Sequence, residues 1–358
     1  MSTPLDELRR WMAGRHLEAL YVSRPVSIAY LTGFFANPHE RLMGLAISRR
    51  SATLIVPALE EQKAKAHASN VEVVAWRDGE DPFALVSAGL QGVSELGVEK
   101  GHLTLHAAEV ITTRTGISEL VDTDPQILRM RLTKNDDEVA RLGRAAEITD
   151  ATYEQLVERL HAGQSEVEVA FLIGNLIGEL GGKLSFPSLV QSGPNSAMPH
   201  LEPSSRKLAL GDLVLLDFGA ASGGYLADMT RMAVVGGPSA RQREIHRVVL
   251  EAHDAAIATV RPGATTGQVD SAARRVIEAA GYGKAFFHRV GHGLGLEEHE
   301  DPSLDPGSTT VLEPGMVFTI EPGIYIPDFA GVRIEDDVVV VEGGCRVLTT
   351  SDRVLREV

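Results

Sequence analysis

Five side chains able to bind a cation stand where packing residues are expected: Asp217 in LVLLDFG, Asp228 in GGYLADMTR, His292 in VGHGLG, Glu321 in VFTIEPG and Glu335 in VRIEDDVVV. A carboxylate within an apolar run is costly to bury without a counter-charge. Singly, each could be a strand-end acid that meets an arginine or reaches water. Four such acids and a glycine-flanked histidine within one span, 217–335, instead point to a shared cation. Asp217 and Asp228 flank a turn placed at Gly219–Gly224, so a hairpin would bring both to one face. Four carboxylates balance two divalent cations, and oxygen ligands with a single imidazole suit Mn²⁺, Co²⁺ or Zn²⁺. Two such ions roughly 3.5–4 Å apart activate water for attack on a carbonyl, which is metal-assisted hydrolysis.

Further histidines stand near this set. His288, His292 and His299 surround a Gly-x-Gly-x-Gly turn, and His200 follows Pro199 in QSGPNSAMPHLEP. An imidazole beside the metals can donate to a developing oxyanion or carry a proton to a leaving nitrogen, although each also reads as a structural histidine. Gly-x-Ser-x-Gly, P-loop and His-Glu-x-x-His signatures are absent, and GHGLGL does not match the dinucleotide fingerprint. Cys345, in a Gly-Gly-Cys-Arg turn, reads as incidental rather than nucleophilic.

The elements that must position these residues fall into two groups. Residues 1–130 alternate helix and strand: a helix at 5–17, strands at 19–23, 42–48 and 52–58, a polar helix from about 59, a strand at 71–76, a helix near 82–90 and a strand at 94–99. This predicts an α/β domain with a mixed or parallel sheet. Residues 131–358 begin with a helix at about 134–161, whose N-cap is placed at Thr133 ahead of Asp136 and Asp137. A second helix at 166–181 opens with a Ser165–Glu168 capping box. Strands follow, then helices at about 239–260 and 266–281, the latter with a Thr265–Gln268 box, then strands to the end. Paired helices between antiparallel strand groups predict an α+β layer.

The chain has 358 residues, 34 Lys+Arg against 49 Asp+Glu, a formal charge of −15 and one cysteine. No apolar run approaches membrane-spanning length, and a single cysteine excludes a disulfide scaffold. The acidic balance, without a basic run, argues against a nucleic-acid partner. The charged amphipathic start is unlike a signal peptide, so a cytoplasmic location is expected, with no membrane association.

The ordered set Asp217, Asp228, His292, Glu321 and Glu335, with SGPNSAMPH, LLDFGA, the His-x3-His-x6-His run and GVRIEDD, resembles the proline-specific branch of the pita-bread metallopeptidases. That branch holds the Xaa-Pro dipeptidases (prolidases) and Xaa-Pro aminopeptidases. The resemblance implies a creatinase-like N-terminal α/β domain (1–130), a pita-bread catalytic domain (131–358) and a homodimer. It further implies that Asp217 binds one metal, that His292 and Glu321 bind the other, and that Asp228 and Glu335 bridge the pair. By the same likeness Glu321 takes a proton from the bridging water, His200 and His299 contact the scissile carbonyl, His288 lines the leaving-group side, and Arg333 orients Glu335 or forms a structural ion pair. Methionine aminopeptidases share the ligands but lack such an N-terminal domain; creatinases share the fold without the full ligand set.

A dipeptidase must hold a free carboxylate just beyond proline. His39 and Arg41 in FFANPHERLMG are candidates, in a loop that resembles one reaching a partner subunit's site in small bacterial prolidases, though it also reads as a solvated turn. Arg289 is another candidate. The span 300–320 contains no Arg, whereas larger prolidases carry a carboxylate-binding Arg there. The expected activity is therefore Xaa-Pro dipeptide hydrolysis, with aminopeptidase action on longer Xaa-Pro peptides as the alternative. A silent binding module on the same fold and an amidohydrolase acting on small N-substituted substrates are the other classes the fold admits.

Overall fold

The computed structural model describes residues 3–358. The chain divides into two units, Met1–Arg131 and Leu132–Val358. The first is built on six strands: β1 (Ala19–Val22), β2 (Gly44–Ser48), β3 (Ala52–Pro57), β4 (Glu72–Trp76), β5 (Glu95–Val98) and β6 (Glu119–Asp122), in the sheet order β4-β3-β2-β1-β5-β6. The sheet is mixed: β1 runs antiparallel to β2 but parallel to β5. Parallel neighbours need a crossover, supplied by α3 (Glu61–His67) between β3 and β4 and by α5 (Leu105–Thr115) between β5 and β6. Side-chain alternation covers both faces. Leu20, Leu45, Leu54 and Val56 pack with Leu5, Leu8 and Met12 of α1 (Pro4–Gly14), whereas Tyr21, Ile55 and Leu96 pack with Val86 of α4 (Pro82–Ala88) and Ile111 of α5. Three helices that the sequence did not suggest, α2 (Pro25–Thr32), α5 and α6 (Asp124–Leu132), complete the unit, and β6 was likewise not suggested.

The second unit opens with α7 (Asp136–Val157). Its cap is Asn135, which accepts from the amides of Asp137 and Glu138 while Glu138 accepts from the Asn135 amide. This corrects the expected cap at Thr133, which instead forms an isolated antiparallel bridge with Met316. The boxes expected at Ser165–Glu168 and Thr265–Gln268 cap α8 (Glu166–Glu179) and α10 (Thr266–Ala279); α9 (Ala240–Thr259) has a third, Ser239–Gln242. No described helix is long and apolar enough to cross a membrane.

The strands between these helices form two main sheets. One orders β20 (Arg356–Glu357), β12 (Met229–Val234), β9 (Leu213–Phe218) and β8 (Leu189–Ser192). The other orders β14 (Glu300–Ser303), β13 (His292–Gly293), β15 (Val317–Ile320), β18 (Asp336–Val341) and β19 (Gly344–Val347). A two-stranded ribbon joins β16 (Gly323–Ile326) to β17 (Ala330–Arg333). Alternation on β9 and β12 decides what faces what. Leu213, Leu215, Met232 and Val234 pack with Ile245 and Val249 of α9, Val269 and Ile277 of α10, and Phe318 and Val338 of the second sheet. Val214, Leu216, Phe218, Met229 and Ala233 pack against Ile148 of α7 and Val169 and Ile173 of α8. Asp217, Asp228 and Thr230 share parity with the first set, so they emerge on the face where the second sheet arrives.

The expected hairpin is more elaborate than a single turn. β9 and β12 do pair antiparallel, but Asp217 stands opposite Thr230, with Asp228 one diagonal step away. Between them the chain leaves the sheet to form β10 (Ala220–Ser222) and β11 (Tyr225–Leu226), which pair with β7 (Lys183–Leu184). Gly223 and Gly224, at φ 57° and 87°, make the two-residue turn that joins them. Gly219 lies at the exit from β9, where a Cβ would sit 1.6 Å from the Ala227 carbonyl oxygen. Gly219→Ala should therefore cost about 2–4 kcal/mol in urea unfolding. Gly143, mid-way along α7 with nothing within 4 Å of a Cβ, is the matched control, and its replacement by Ala should stabilise by about 0.5–1 kcal/mol.

Candidate metal centre

Each acid reaches the centre from the end of a strand. Asp217 is the penultimate residue of β9, and Asp228 immediately precedes β12, its amide donating to Asp337 Oδ2 at 3.0 Å. Glu321 follows β15 and is anchored by its amide to the Val290 carbonyl at 2.8 Å. Glu335 lies between β17 and β18, with its amide on the Thr230 carbonyl at 3.2 Å. His292 opens β13, and its amide donates to Thr319 Oγ1 at 3.1 Å. Thr319 Oγ1 in turn donates to Glu321 Oε1 at 3.3 Å, so one hydroxyl ties the histidine to the acid.

The five groups converge. His292 Nε2 stands 3.3 Å from Glu321 Oε1 and 3.8 Å from Asp228 Oδ2. Ligand atoms of Asp228, His292 and Glu335 all lie within 4.8 Å of one another, and all three residues are buried. His292 Nδ1–H donates to the Gly293 carbonyl at 3.1 Å, which leaves Nε2 with a free lone pair toward the acids.

Arg333 is the cation the cluster faces. Its Nη2 donates to Asp217 Oδ2, its Nη1 to Tyr325 Oη at 3.0 Å and its Nε to Thr230 Oγ1 at 2.9 Å; Thr230 Oγ1 then donates to Glu335 Oε2 at 2.6 Å. Arg333 was expected to act on Glu335 as a neighbour on one strand face. Instead β17 ends at Arg333, its Nε is 3.9 Å from Glu335 Oε2, and its hydrogen-bonded carboxylate is Asp217. Tyr325 and Thr230 were missed by sequence reasoning. Their only signal was position: Thr230 is two residues beyond Asp228, and Tyr325 lies four beyond Glu321.

The remaining nominated residues are distributed unevenly. His200, His288, Arg289 and His299 line a cleft of about 1020 Å³ together with the five cluster residues, Arg333 and an apolar side of Phe186, Leu189, Phe287 and Tyr325. His288 donates from Nδ1 to the Arg289 carbonyl at 2.7 Å and accepts from Tyr325 Oη at 3.1 Å. The His299 ring stands edge-on to His292 at 4.1 Å between centroids. Arg289 Nη1 donates to Ser303 Oγ at 2.7 Å. His39 and Arg41 belong to the first unit and are not among the cleft-lining residues. There Arg41 is committed to a bidentate pair with Asp78, at 3.0 Å for both bonds, and to Glu40 at 2.8 Å.

Residues 140–342 match metallopeptidase family M24, and residues 4–133 match the creatinase/prolidase N-terminal domain. The chain belongs to metallopeptidase family M24. It is 38% identical to an uncharacterized peptidase of Staphylococcus aureus over 98% of each chain. Among solved structures it is similar to the Xaa-Pro dipeptidase from Bacillus anthracis, at 34% identity with TM-score 0.92, covering 99% of both chains. The X-Pro aminopeptidase from Thermotoga maritima is similar at 32% identity and TM-score 0.89, covering 95% of this chain and 97% of that one. This M24 peptidase therefore combines the family's α/β N-terminal domain with a pita-bread catalytic fold.

Members of the family bind divalent metal ions, and the residues of this M24 peptidase fit such a cation. Asp217 Oδ1 and Asp228 Oδ1 are buried without a hydrogen-bond partner. Burial raises the pKa of Asp217 despite Arg333, raises Asp228 and Glu335 well above the carboxylate range with their neighbouring acids adding to the effect, and brings Glu321 to about 7. Burial also lowers His292 to about 3 and His288 to about 4, so both rings are neutral. Neutral imidazole beside crowded carboxylates is the state that binds a cation.

In the metal-stripped protein Glu321 keeps its proton from 4.5, its ordinary value, up to about 7. Its contribution to stability is thus complete below 4.5 and lost as pH rises through 7. Relative to Glu321→Gln, the stripped protein should lose on the order of 2–3 kcal/mol between pH 5 and pH 8 in urea titrations. Mn²⁺ should restore most of that loss at pH 8. A pH-independent difference would refute the account of the buried charge.

Proposed function

We propose that this M24 peptidase is an Xaa-Pro dipeptidase that hydrolyses the bond preceding proline with two divalent ions, Mn²⁺, Co²⁺ or Zn²⁺. The observation that carries the reading is the convergence of four acids, three of them buried, and a neutral imidazole on a cleft whose other side is aromatic and apolar. The Bacillus anthracis dipeptidase supports the substrate class by likeness. Asp217 is assigned to one ion, His292 and Glu321 to the other, and Asp228 and Glu335 to both. When bound, such ions supply a water acidified toward neutrality and an electrophile for the scissile carbonyl.

The chain's own groups supply the rest. Phe287 and Tyr325 offer a proline ring an apolar surface beside the acids, where burial of each methylene contributes about 0.8 kcal/mol. Glu321 accepts the proton of the attacking water; as the oxygen bonds to the carbonyl carbon and the C–N bond breaks, that proton passes to the prolyl nitrogen. His200 and His299, at the cleft face, donate to the oxygen that gains negative charge. Burial keeps His288 neutral, while the Arg289 carbonyl and Tyr325 fix the ring by hydrogen bonds, so it bounds the leaving-group side without adding charge. Arg333 fixes Asp217 and, through Thr230, Glu335, and thereby limits how far the acids spread. Arg289 is the cleft cation suited to the free carboxylate of a dipeptide; Arg41 in a partner subunit's loop is the other assignment, within a cytoplasmic homodimer.

The second reading is an Xaa-Pro aminopeptidase, favoured by the Thermotoga maritima likeness and by the lack of Arg in 300–320. Turnover of Ala-Pro and Ala-Pro-Ala with each metal separates the two. A dipeptidase should prefer Ala-Pro by about tenfold or more in kcat/KM, a difference of about 1.4 kcal/mol. Arg289→Ala should raise KM for Ala-Pro about tenfold while leaving the tripeptide nearly unchanged; if Arg41→Ala does so instead, the partner loop holds the carboxylate. Preference for the tripeptide establishes the second reading. Failure to cleave either, with Asp228→Ala binding Mn²⁺ like the parent protein, ends both.

A further inference from the structure

His200 lies on a loop between β8 and β9, and its backbone is held by two buried groups that play no part in binding a cation. Gln191, on β8 and fully buried, donates from Nε2 to the carbonyls of both Pro199, at 3.1 Å, and Leu201, at 2.9 Å. These are the carbonyls of the residues on either side of His200. Glu166, the first residue of α8 and also fully buried, accepts at Oε1 from the Ser192 amide (2.7 Å) and Oγ (2.7 Å), and at Oε2 from the Ser204 amide (3.0 Å) and Oγ (2.6 Å). Asn195 Nδ2 reaches both carboxylate oxygens, at 3.0 and 3.1 Å. The carboxylate therefore fastens the loop where it leaves β8 and again four residues beyond His200. In addition, Ser196 Oγ donates to the Gly193 carbonyl at 2.7 Å and accepts the Gly331 amide of β17 at 2.8 Å, which ties the loop to the strand carrying Arg333.

A carboxylate offers about four lone-pair sites to donors. Here one carboxylate accepts six hydrogen bonds from five donor atoms of three residues, and one carboxamide spans the residue at the cleft face. We propose that Gln191 and Glu166 are positioning residues for His200: they hold its backbone so that the ring, itself exposed at the cleft, meets the scissile carbonyl with a fixed geometry. This deepens the proposed function and rests on the reading of His200 as an oxyanion donor. An exposed ring on a free loop would lose the pre-organisation that makes such a donor effective.

The test is a double-mutant cycle on Ala-Pro with Mn²⁺. Gln191→Met keeps the volume and removes the donor; Glu166→Gln keeps the shape and removes the charge. In the parent background each should lower kcat by about tenfold or more with a smaller change in KM, and in a His200→Ala background by less than about twofold, because the group they position is gone. Mn²⁺ affinity, read by calorimetry, should stay within about threefold in all variants, far less than the loss of a ligand. Equal losses in both backgrounds, or no loss in the parent, would overturn the proposal. Amide exchange across 193–204 gives a reading independent of turnover: it should accelerate in both variants, and unchanged exchange would overturn the brace. Ser204→Ala, which deletes one hydroxyl only, serves if either larger change prevents folding, and should give a smaller loss of the same pattern. If the parent protein cleaves no Xaa-Pro peptide, the functional reading fails while the exchange measurement still decides the brace.

Discussion

Asp217, Asp228, Glu321 and Glu335 are brought out of water together, and Arg333 is the guanidinium they share. Burial opposes every one of the four charges, and neighbouring acids add to it: Asp217, Glu321 and Glu335 raise Asp228, Asp217 and Glu321 raise Glu335, and Asp217 raises Glu321. The histidines at the centre cannot help as cations, since burial keeps His292 and His288 neutral. Such a cluster either takes up protons or has its charge matched by a cation from outside. Much of the second unit can be understood as the framework that holds the acids in place against their repulsion.

The adjacent residues Glu335 and Asp336 show how specifically the charge is left open. Both are buried, and they point to opposite sides of the chain. Burial works to raise Asp336 as well, but Arg231, His253 and Arg353 surround it and hold it below the usual carboxylate range. Arg231 Nη2 donates to Asp336 Oδ1 at 2.7 Å, His253 Nε2 lies 2.9 Å from Oδ2, Arg353 Nε donates to Oδ2, and Thr349 Oγ1 donates to Oδ1 at 2.8 Å. Arg231 Nη1 also donates to the Glu335 carbonyl at 2.6 Å. One acid is thus a structural anchor with its charge matched, and its neighbour, suspended from that anchor, is left for a ligand. Breaking the matched side would be costly because it would strand a buried charge.

The acids were legible in the sequence because a polar residue inside an apolar run has few explanations, and strand parity then predicts which of them share a face. That logic reaches only residues whose type is surprising where they stand. Thr230 and Tyr325 are ordinary strand residues, so nothing marked them before the register placed Thr230 opposite Asp217 and Tyr325 beside Arg333. Gln191 and Glu166 act on a loop distant from them in the chain, and capping patterns report only on contacts three or four residues away. The same range limit explains α2, whose Pro25 start and β-branched residues resemble an extended segment until Ile28 and Leu31 meet α1's apolar side. It also explains the misplaced cap: Thr133 has the right chemistry, but its backbone is drawn into a bridge with Met316, which no local pattern records. Arg41 looked like a free carboxylate receptor because Asp78, its partner, lies beyond three intervening strands.

The ligands and the histidines around them are supported differently, and the chemistry explains why. A cation-binding acid must not move, and all four sit at or beside strand ends, Asp217 within the β9 ladder and the other three with their amides hydrogen-bonded to Asp337, Val290 and Thr230. A proton donor must meet a substrate that arrives and leaves, and His200 and His299 sit on exposed loops at the cleft. Loops alone would hold them poorly, so each is backed by a buried acid. Glu166 fastens the loop of His200 through neutral donors. Glu300 accepts the amides of Leu296 and Glu297 at 2.8 and 2.9 Å beside His299, and is itself paired with Lys134 at 3.2 Å, the two side chains 4% and 2% exposed. Glu300 has its charge matched by Lys134 as a buried ion pair. Glu166 is hydrogen-bonded by amides, hydroxyls and a carboxamide, and Arg206, which reaches Ser192 Oγ at 2.6 Å, adds a favourable charge behind them. Rigid acids and braced histidines are two solutions to the same requirement, that the reacting groups be ordered before the substrate arrives.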